Sequence, residues 1–465
     1  MTASTTSQPQ PASQPQPASQ PQPALQLQPA PQPAPHPQPA PHPQTAPHSP
    51  SLRHNHDFLK FWSGETVSLF GTQVTTLALP LTAVTTFHAT AGQVGLLRFL
   101  QLVPYLLLAL LFGALVDRMR RRRVMLVANA ARMLLIGLIP LLSATGHLTL
   151  VLLLTLATAI GVFSVLYDVS WMAFVPTVVR DPRHLLEANQ KTGLTSSTAD
   201  VAGPGVAGAV ISALTAPTAL AVDAFSYLVS LVTLLWIRTP EPRPEPRPAA
   251  KPDRPTIPTD VRDGLHFVFT HRILRPLALI APFSNFILVS VWTMFLLYAT
   301  RDRALSPAQI GLIFSVSSLG GLLGAALTRR VLAKHRFGHV YAISSAAMFA
   351  GPILIPLAVG PQALRLAVFT AAFFISYLGL GVVNIVAISV RQIATPAPLM
   401  GRMTAAFRTL LFGGGALGGL AGGLLAGALG ARTALTAIGV ASLLMLIPVA
   451  LSPVSRLREQ SEAAA

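Results

Sequence analysis

The sequence predicts an all-α integral membrane protein with twelve transmembrane helices in two six-helix bundles. Only 11% of the 465 residues are charged and 52% are hydrophobic, whereas about 25% of an ordinary soluble domain is charged. Apolar runs about 20 residues long recur from residue 64 onward, and a helix of this length crosses a bilayer. The short alternating runs typical of membrane β-barrel strands are absent, which leaves helices as the spanning elements.

The composition also excludes several classes of function. The net charge of +17 comes from basic residues scattered between apolar runs, so we expect no nucleic-acid partner. The absence of cysteine removes disulfides and thiolate metal sites. None of the four lysines follows a glycine, so a phosphate-binding loop is absent. We expect neither enzymatic activity, nor a cofactor, nor a metal site, and we expect a monomer.

The first 57 residues are predicted to be a disordered cytoplasmic tail rich in proline and glutamine. Residues 1–50 contain 16 of the 41 prolines and no Asp, Glu, Lys or Arg. Such a segment has too little apolar surface to offset the entropy of ordering, and it favours polyproline-like conformations.

Twelve apolar runs follow, in two sets of six. The N-terminal bundle (58–237) contains predicted spans at 64–87, 94–116, 124–143, 150–172, 188–213 and 217–237. The C-terminal bundle (276–455) contains predicted spans at 276–299, 308–328, 338–358, 364–390, 403–429 and 433–452. Six helices, a connection and six more helices are typical of transporters built by duplication.

The connection at 238–275 is predicted to be a cytoplasmic linker. Its first part is rich in proline and charge, and its second part places Leu265, Val268 and Phe269 on one face of an amphipathic helix. With both termini in the cytoplasm, including the tail at 456–465, the inside segments hold about 26 Lys and Arg and the outside loops about 4, as the positive-inside rule requires. We therefore expect a multi-pass protein of the cell (inner, cytoplasmic) membrane.

The loop after the second span reads GALVDRMRRRRVML (113–126). It resembles the signature G-x-x-x-D-R-x-G-R-R of the major facilitator superfamily, with matches at Gly113, Asp117, Arg118, Arg121 and Arg122. Arg120 replaces the usual glycine. The resemblance implies the major facilitator fold.

This resemblance further implies a conformational latch. Asp117 would lie near the N-terminus of the eleventh predicted span (403–429), where the unsatisfied amides and the helix dipole favour an anion. The arginines could bridge to Asp168 near the end of helix 4. The alternative is that the basic run only anchors the loop on the cytoplasmic side.

Helix 5 contains VAGPGVAGAV, in which Gly203, Pro204 and Gly208 match part of the exporter motif of the superfamily. The alternative is an ordinary proline kink with close packing of small residues. Longer stretches resemble the macrolide-efflux and siderophore-export branch. Thr72 stands where this branch often has an aspartate.

Ionisable residues within a span are costly and are candidates for function. Asp200 lies near the middle of helix 5, and we predict that it is the carboxylate that couples transport to protons. The alternative is a structural ion pair of Asp200 with Arg98 or Arg132, either of which could instead face an anionic substrate group.

Uncharged polar side chains near the middle of several spans predict a cavity for a bulky amphipathic ligand. Such residues can also merely bridge helices. Together with the two arginines, the candidates are Thr72, Gln73, Thr76, Arg98, Arg132, Asn285, Trp292 and Asn384.

The sequence thus predicts a secondary active transporter that exports small amphipathic organic compounds, such as drugs, antibiotics or siderophores. Its partners would be the cargo, protons and the bilayer, and it would work by alternating access with proton antiport. A proton-independent facilitator or lipid flippase is an alternative. Alternatives from other classes are a transporter-like membrane sensor and an intramembrane transferase.

Overall fold

The computed structural model describes residues 52–116, 118–179, 181–241, 257–396 and 399–459. The predicted disordered tail before residue 52, the proline-rich part of the linker at 242–256 and the last six residues lie outside them. Within these ranges the chain forms helices joined by short connections and no strand. All of them fall within one compact unit, Pro50–Ala465.

Fourteen α-helices make up the described chain. In order they are α1 His56–Thr86, α2 Ala91–Val116, α3 Arg121–Ala144, α4 Leu150–Val178, α5 Pro182–Leu214, α6 Ala216–Leu235, α7 Ile257–Thr270, α8 Leu274–Leu297, α9 Pro307–Leu332, α10 Phe337–Leu357, α11 Gln362–Ile393, α12 Met400–Leu429, α13 Ala431–Leu444 and α14 Leu446–Leu451.

Eleven segments of the described chain are long and apolar enough to cross a membrane, and they coincide with eleven of the twelve predicted spans. The last of them joins α13 and α14. The remaining predicted span, 188–213, is helical as part of α5 but is not among the eleven. It is long enough to cross a membrane, but Asp200 and several Ser and Thr residues lower its hydropathy. The helix packs against α1 and α9, both of which are among the eleven.

The folded part of the chain starts earlier than the sequence suggests. The predicted tail extends to residue 57, but Leu52 is buried with an exposed fraction of 1%. Asn55 caps α1 by accepting a hydrogen bond from the backbone N–H of Phe58 (3.0 Å), and its amide donates to the carbonyl of Val178 at the end of α4 (3.1 Å). A side chain that accepts from the first turn satisfies an amide left free there, so Asn55 begins α1.

The helices pack in two halves. In the first half α1 contacts α5 and α6, and α4 contacts α2 and α3; in the second half α11 contacts α9 and α10, and α12 contacts α8 and α13. The main contacts between halves are α2 with α12 and α5 with α9. The helix α7 lies where the amphipathic helix is predicted and packs on the start of α12, where Gly264 meets the backbone of Arg402.

We call the end of the bundle that carries the α2–α3, α4–α5 and α6–α7 connections the linker end, and the opposite end the distal end. At the distal end the halves meet through glycines. A Cβ on Gly423 of α12 would lie 2.6 Å from the Cα of Gly95 on α2, and one on Gly208 of α5 would lie 3.1 Å from the Cα of Gly311 on α9. Arg301 also donates to the backbone carbonyl of Ala89 across the halves. The distal end is therefore closed in this structure.

Candidate functional site

A cavity of about 450 Å³ lies between the two halves, near the middle of the helices. Residues of α1 and α5 form one wall, and residues of α8, α9 and α11 form the other. Its polar and aromatic lining consists of Gln73, Thr76, Ser197, Asp200, Trp292, Phe314, Ser318, Tyr377 and Asn384. Five of the predicted site residues, Gln73, Thr76, Asp200, Trp292 and Asn384, thus lie in one cavity, as does Pro204 of the exporter motif.

Asp200 is the only charged residue in the described lining of this central cavity. Its Oδ1 accepts a hydrogen bond from the Nε2 of Gln73 on α1 (2.9 Å). Gln73 in turn packs on α5, since a Cβ on Gly203 would lie 2.4 Å from its Cγ. Gly203 of the predicted exporter motif therefore gives α1 the close approach that lets Gln73 reach Asp200.

The two arginines considered as partners of Asp200 have other contacts. Arg98 on α2 lies over the ring of Trp292, 4.9 Å from its centroid, and donates to Gln101 (3.3 Å). Arg132 on α3 is stacked between two tyrosines inside the first half. Among the described residues neither arginine forms a salt bridge with Asp200, so this conformation holds the carboxylate by an amide.

Two further cavity candidates lie elsewhere. The hydroxyl of Thr72 is 3.3 Å from the hydroxyl of Tyr227 on α6, inside the first half. The amide of Asn285 donates to the carbonyl of Leu411 on α12 (2.6 Å) and lines a second cavity, within the second half. Both side chains thus bridge helices in this conformation. The packing of neighbouring helices, which a sequence does not display, determines which polar residue faces a cavity.

The first half also contains a buried polar cluster around Arg132. The guanidinium stacks on Tyr167 (4.0 Å) and Tyr227 (4.3 Å) and donates to Asn129. Its charge acts on three carboxylates, which belong to Glu65, Asp168 and Asp223.

Each of these carboxylates has a neutral hydrogen-bond donor of its own. Tyr167 donates to Glu65 (2.7 Å), Tyr105 to Asp168 (2.8 Å), and Thr75 to Asp223 (2.5 Å). Asp223 is fully buried. The sequence shows these acidic residues within apolar runs, but nothing in it places them beside one arginine.

We predict that Arg132→Gln destabilises the protein, because the substitution leaves buried carboxylates without their cation. Removing one partner of a buried charge cluster costs about 3–5 kcal/mol, so the midpoint of thermal unfolding in detergent should fall clearly. The matched control is Arg123→Gln, because Arg123 is an exposed arginine on the same helix. Equal midpoints for the two variants would contradict this role of Arg132, and Asp223→Asn added to Arg132→Gln should recover part of the loss.

The start of α3 is hydrogen-bonded to α4, to the end of α6 and to the first residues of the linker. Arg121 donates to the carbonyl of Ala173 on α4 (3.1 Å), and Arg122 donates to the carbonyls of Leu234 (3.0 Å) and Leu235 (2.9 Å) at the end of α6. Glu241 accepts from the first amides of α3, including that of Arg121 at 2.5 Å. A carboxylate at this position satisfies free amides and complements the helix dipole.

Three members of the predicted latch, Arg121, Arg122 and Asp168, thus contact the first half. Asp117 lies outside the described residues, and Arg118 is exposed in the turn before α3. Asp168 accepts from Tyr105 and lies about five residues before the carbonyl that Arg121 contacts. A Cβ on Gly113 or on Gly401, at the start of α12, would meet open space. In this structure Arg121 and Arg122 therefore bind helices of their own half, and among the described residues neither forms a salt bridge with Asp168.

The predicted exporter motif lies where the halves meet. A Cβ on Gly311 of α9 would lie 2.3 Å from the carbonyl of Pro204 and 3.0 Å from the Cα of Gly208. Beside them the backbone N–H of Gly205 donates to the hydroxyl of Ser315 (2.7 Å). Close backbone approach of this kind requires small residues, so the motif brings α5 onto α9 as well as onto α1.

Comparison with known proteins identifies the family. A family described as "transmembrane secretion effector" matches residues 45–465. The multidrug efflux pump Tap of Mycolicibacterium fortuitum is 25% identical over 404 residues, which cover 84% of this chain and 93% of Tap. The MFS-type transporter YfiS of Bacillus subtilis is 23% identical over 399 residues, which cover 84% of this chain and 91% of YfiS.

Solved structures show the same fold. The nucleoside transporter NupG superposes with a TM-score of 0.68 at 12% identity and covers 85% of this chain and 98% of its own. A bacterial homologue of the human lysosomal transporter Spinster, in an inward-facing and unoccupied conformation, gives a TM-score of 0.63 at 16% identity. The match covers 86% of this chain and 96% of the homologue. The chain is therefore a multi-pass membrane transporter, not an enzyme, and it belongs to the transmembrane secretion effector family of the major facilitator superfamily.

Proposed function

We propose that this transporter exports small amphipathic organic compounds by proton antiport. The observation that carries the proposal is Asp200, a lone carboxylate held by Gln73 in a cavity between two helical halves. A carboxylate in a low-dielectric site can bind and release a proton as its surroundings change. Cargo and proton would then compete for the same cavity.

The lining of the central cavity supports a substrate that is apolar with a few polar groups. Trp292 and Phe314 stack with ring centroids 6.0 Å apart, and Tyr377 lies beside them. Thr76 and Asn384 add uncharged hydrogen-bonding groups on opposite walls. Flat apolar surfaces with few polar groups are typical of sites for organic ligands, and the relatives named Tap are multidrug efflux pumps.

The contacts between the halves support alternating access. We propose that the bundles at 58–237 and 276–455 rock about the central cavity, joined by the linker at 238–275. The distal end is closed here by glycine contacts on α2 and α12 and on α5 and α9. Glycines have no side chains that interlock, so the helices can separate at these contacts and come together again.

We place the linker end in the cytoplasm because the predicted cytoplasmic segments hold most of the Lys and Arg. Both termini lie on that side, and the protein resides in the cell membrane. Cargo then enters from the linker end, which fits an exporter whose distal end is closed at rest. When the linker end closes, Asp117, Arg118, Arg121 and Arg122 would approach α12 and act as the latch.

Accumulation of fluorescent dyes and antibiotics in a pump-deficient bacterial host tests this function. We expect cells that contain the protein to accumulate less of at least one compound, and a protonophore to abolish the difference. Retained export after the proton gradient has collapsed would favour a proton-independent facilitator. In proteoliposomes, an imposed pH gradient should drive uptake of the same compound. Without the gradient, the compound should only equilibrate passively.

A further inference from the structure

The second half of the protein contains a cavity of its own, with a volume of about 380 Å³. Residues of α8, α10, α11 and α12 enclose it. Its walls are mainly apolar and include Ile280, Met348, Phe349, Phe373 and Phe407. This second cavity shares Leu288, Leu380 and Asn384 with the central cavity, so the two are neighbours separated by those side chains.

The second cavity is a long slot. Lining residues recur along one face of α11 from Phe373 through Ser376, Leu380 and Ala387 to Arg391. At a rise of 1.5 Å per residue this face is about 27 Å long. Mainly apolar lining over such a length suits an extended hydrocarbon chain.

One end of the slot is cationic. Arg391 lies in the last turn of α11, its guanidinium 4.6 Å from the ring centroid of Phe407, and its Nε donates to the carbonyl of Ala387 (3.1 Å). Arg408 of α12 also lines the slot, and its Nη1 lies 3.5 Å from the sulfur of Met172.

Neither arginine forms a salt bridge with a carboxylate of the described chain. The charge of Arg408 acts on Asp168 across the halves, but Asp168 has its own donor in Tyr105. Within the described chain, the two guanidinium groups at the end of this apolar slot thus have no carboxylate at salt-bridge distance. Guanidinium groups bind carboxylates and phosphates through charge-assisted hydrogen bonds.

We propose that this slot binds a single acyl chain that ends in an anionic group, with the chain along α11 and the anion at Arg391 and Arg408. The chain buries apolar surface in the slot, and the head group supplies the charge that the two arginines lack. The ligand is either a free single-chain anion such as a fatty acid or one chain of an anionic phospholipid. The site is distinct from the central cavity and does not depend on the proposed export function.

Binding to the purified full-length protein in phosphatidylcholine nanodiscs tests the proposal without any transport step. The probe is radiolabelled dodecanoate, and we expect saturable binding. The double variant Arg391→Gln/Arg408→Gln should weaken binding at least tenfold. Ala387→Phe, which fills the slot beside the arginines, should abolish it. Arg330→Gln is the matched control, because Arg330 is an exposed arginine near the linker end of the same half.

Competition identifies the charge and the source of the ligand. Dodecyltrimethylammonium has the same chain with the opposite charge and should not displace dodecanoate. Nanodiscs enriched in phosphatidylglycerol distinguish the sources, since loss of dodecanoate binding there assigns the slot to a lipid chain, and retained binding assigns it to a free amphiphile. Equal binding by the double variant, or equal competition by the cation, would overturn the proposal.

Discussion

Asp200→Asn should reduce proton-driven transport at least tenfold, to the level measured with a protonophore. The substitution keeps the size of the side chain and an oxygen that can accept from Gln73 (2.9 Å in the native protein), so the cavity should retain its shape. It removes the one carboxylate in the described lining of the central cavity. The measurement is substrate uptake into proteoliposomes under an imposed pH gradient.

Two comparisons separate the loss of coupling from the loss of folding. Exchange of labelled for unlabelled substrate without a pH gradient should continue in Asp200→Asn, because exchange needs the cavity but no net proton movement. Glu187→Gln is the matched control, since Glu187 lies on the same helix and pairs with Lys191 (3.0 Å). Normal gradient-driven transport by Asp200→Asn would remove Asp200 from the coupling mechanism.

A disulfide across the distal end should stop transport. The backbone N–H of Ala308 at the start of α9 donates to the hydroxyl of Ser212 near the end of α5 (3.0 Å), so cysteines at these two positions lie close enough to bond. The protein has no native cysteine, and the double variant Ser212→Cys/Ala308→Cys therefore forms a single defined cross-link. If the distal end must open in each cycle, oxidation should reduce transport at least tenfold.

Reversal by a reductant is the decisive observation for this cross-link. The reduced double variant should transport like the native protein, and the single variants should be insensitive to oxidant. A cross-linked protein that still transports at the native rate would show that α5 and α9 need not separate at this point. Binding of substrate to the cross-linked form should persist, because the central cavity lies nearer the middle of the helices.

Asp200 in α5 shows how much of the site the sequence predicts. An aspartate within a membrane span costs free energy unless it faces water or a partner. This cost is sufficient to select Asp200 as a candidate functional residue. Whether it pairs with Arg98 or Arg132 depends on how α2 and α3 rotate about their axes. In the structure Arg98 lies over Trp292, Arg132 lies between tyrosines, and Gln73 holds the carboxylate.

The sequence does not predict the polar cluster around Arg132. Glu65 lies near the start of α1 and Asp223 lies in α6, and the sequence shows each only as an acidic residue in an apolar run. The structure places Glu65 against Tyr167 and buries Asp223 completely beside Thr75. Contacts between residues separated by more than 100 positions set this arrangement, and helical periodicity carries no information about them.

The sequence by itself determined the membrane class, the helical content and eleven of the spans, since these follow from the length and apolarity of local segments. The superfamily signature around Gly113 and the exporter motif around Pro204 also lie in contiguous residues. Only the tertiary structure decided which polar residues share a cavity, that Asn285 bridges to α12, and that the second half contains a slot ending at Arg391. The physical reason is that a cavity is the space left between helices, and its lining depends on their relative rotation and depth, which no local pattern specifies.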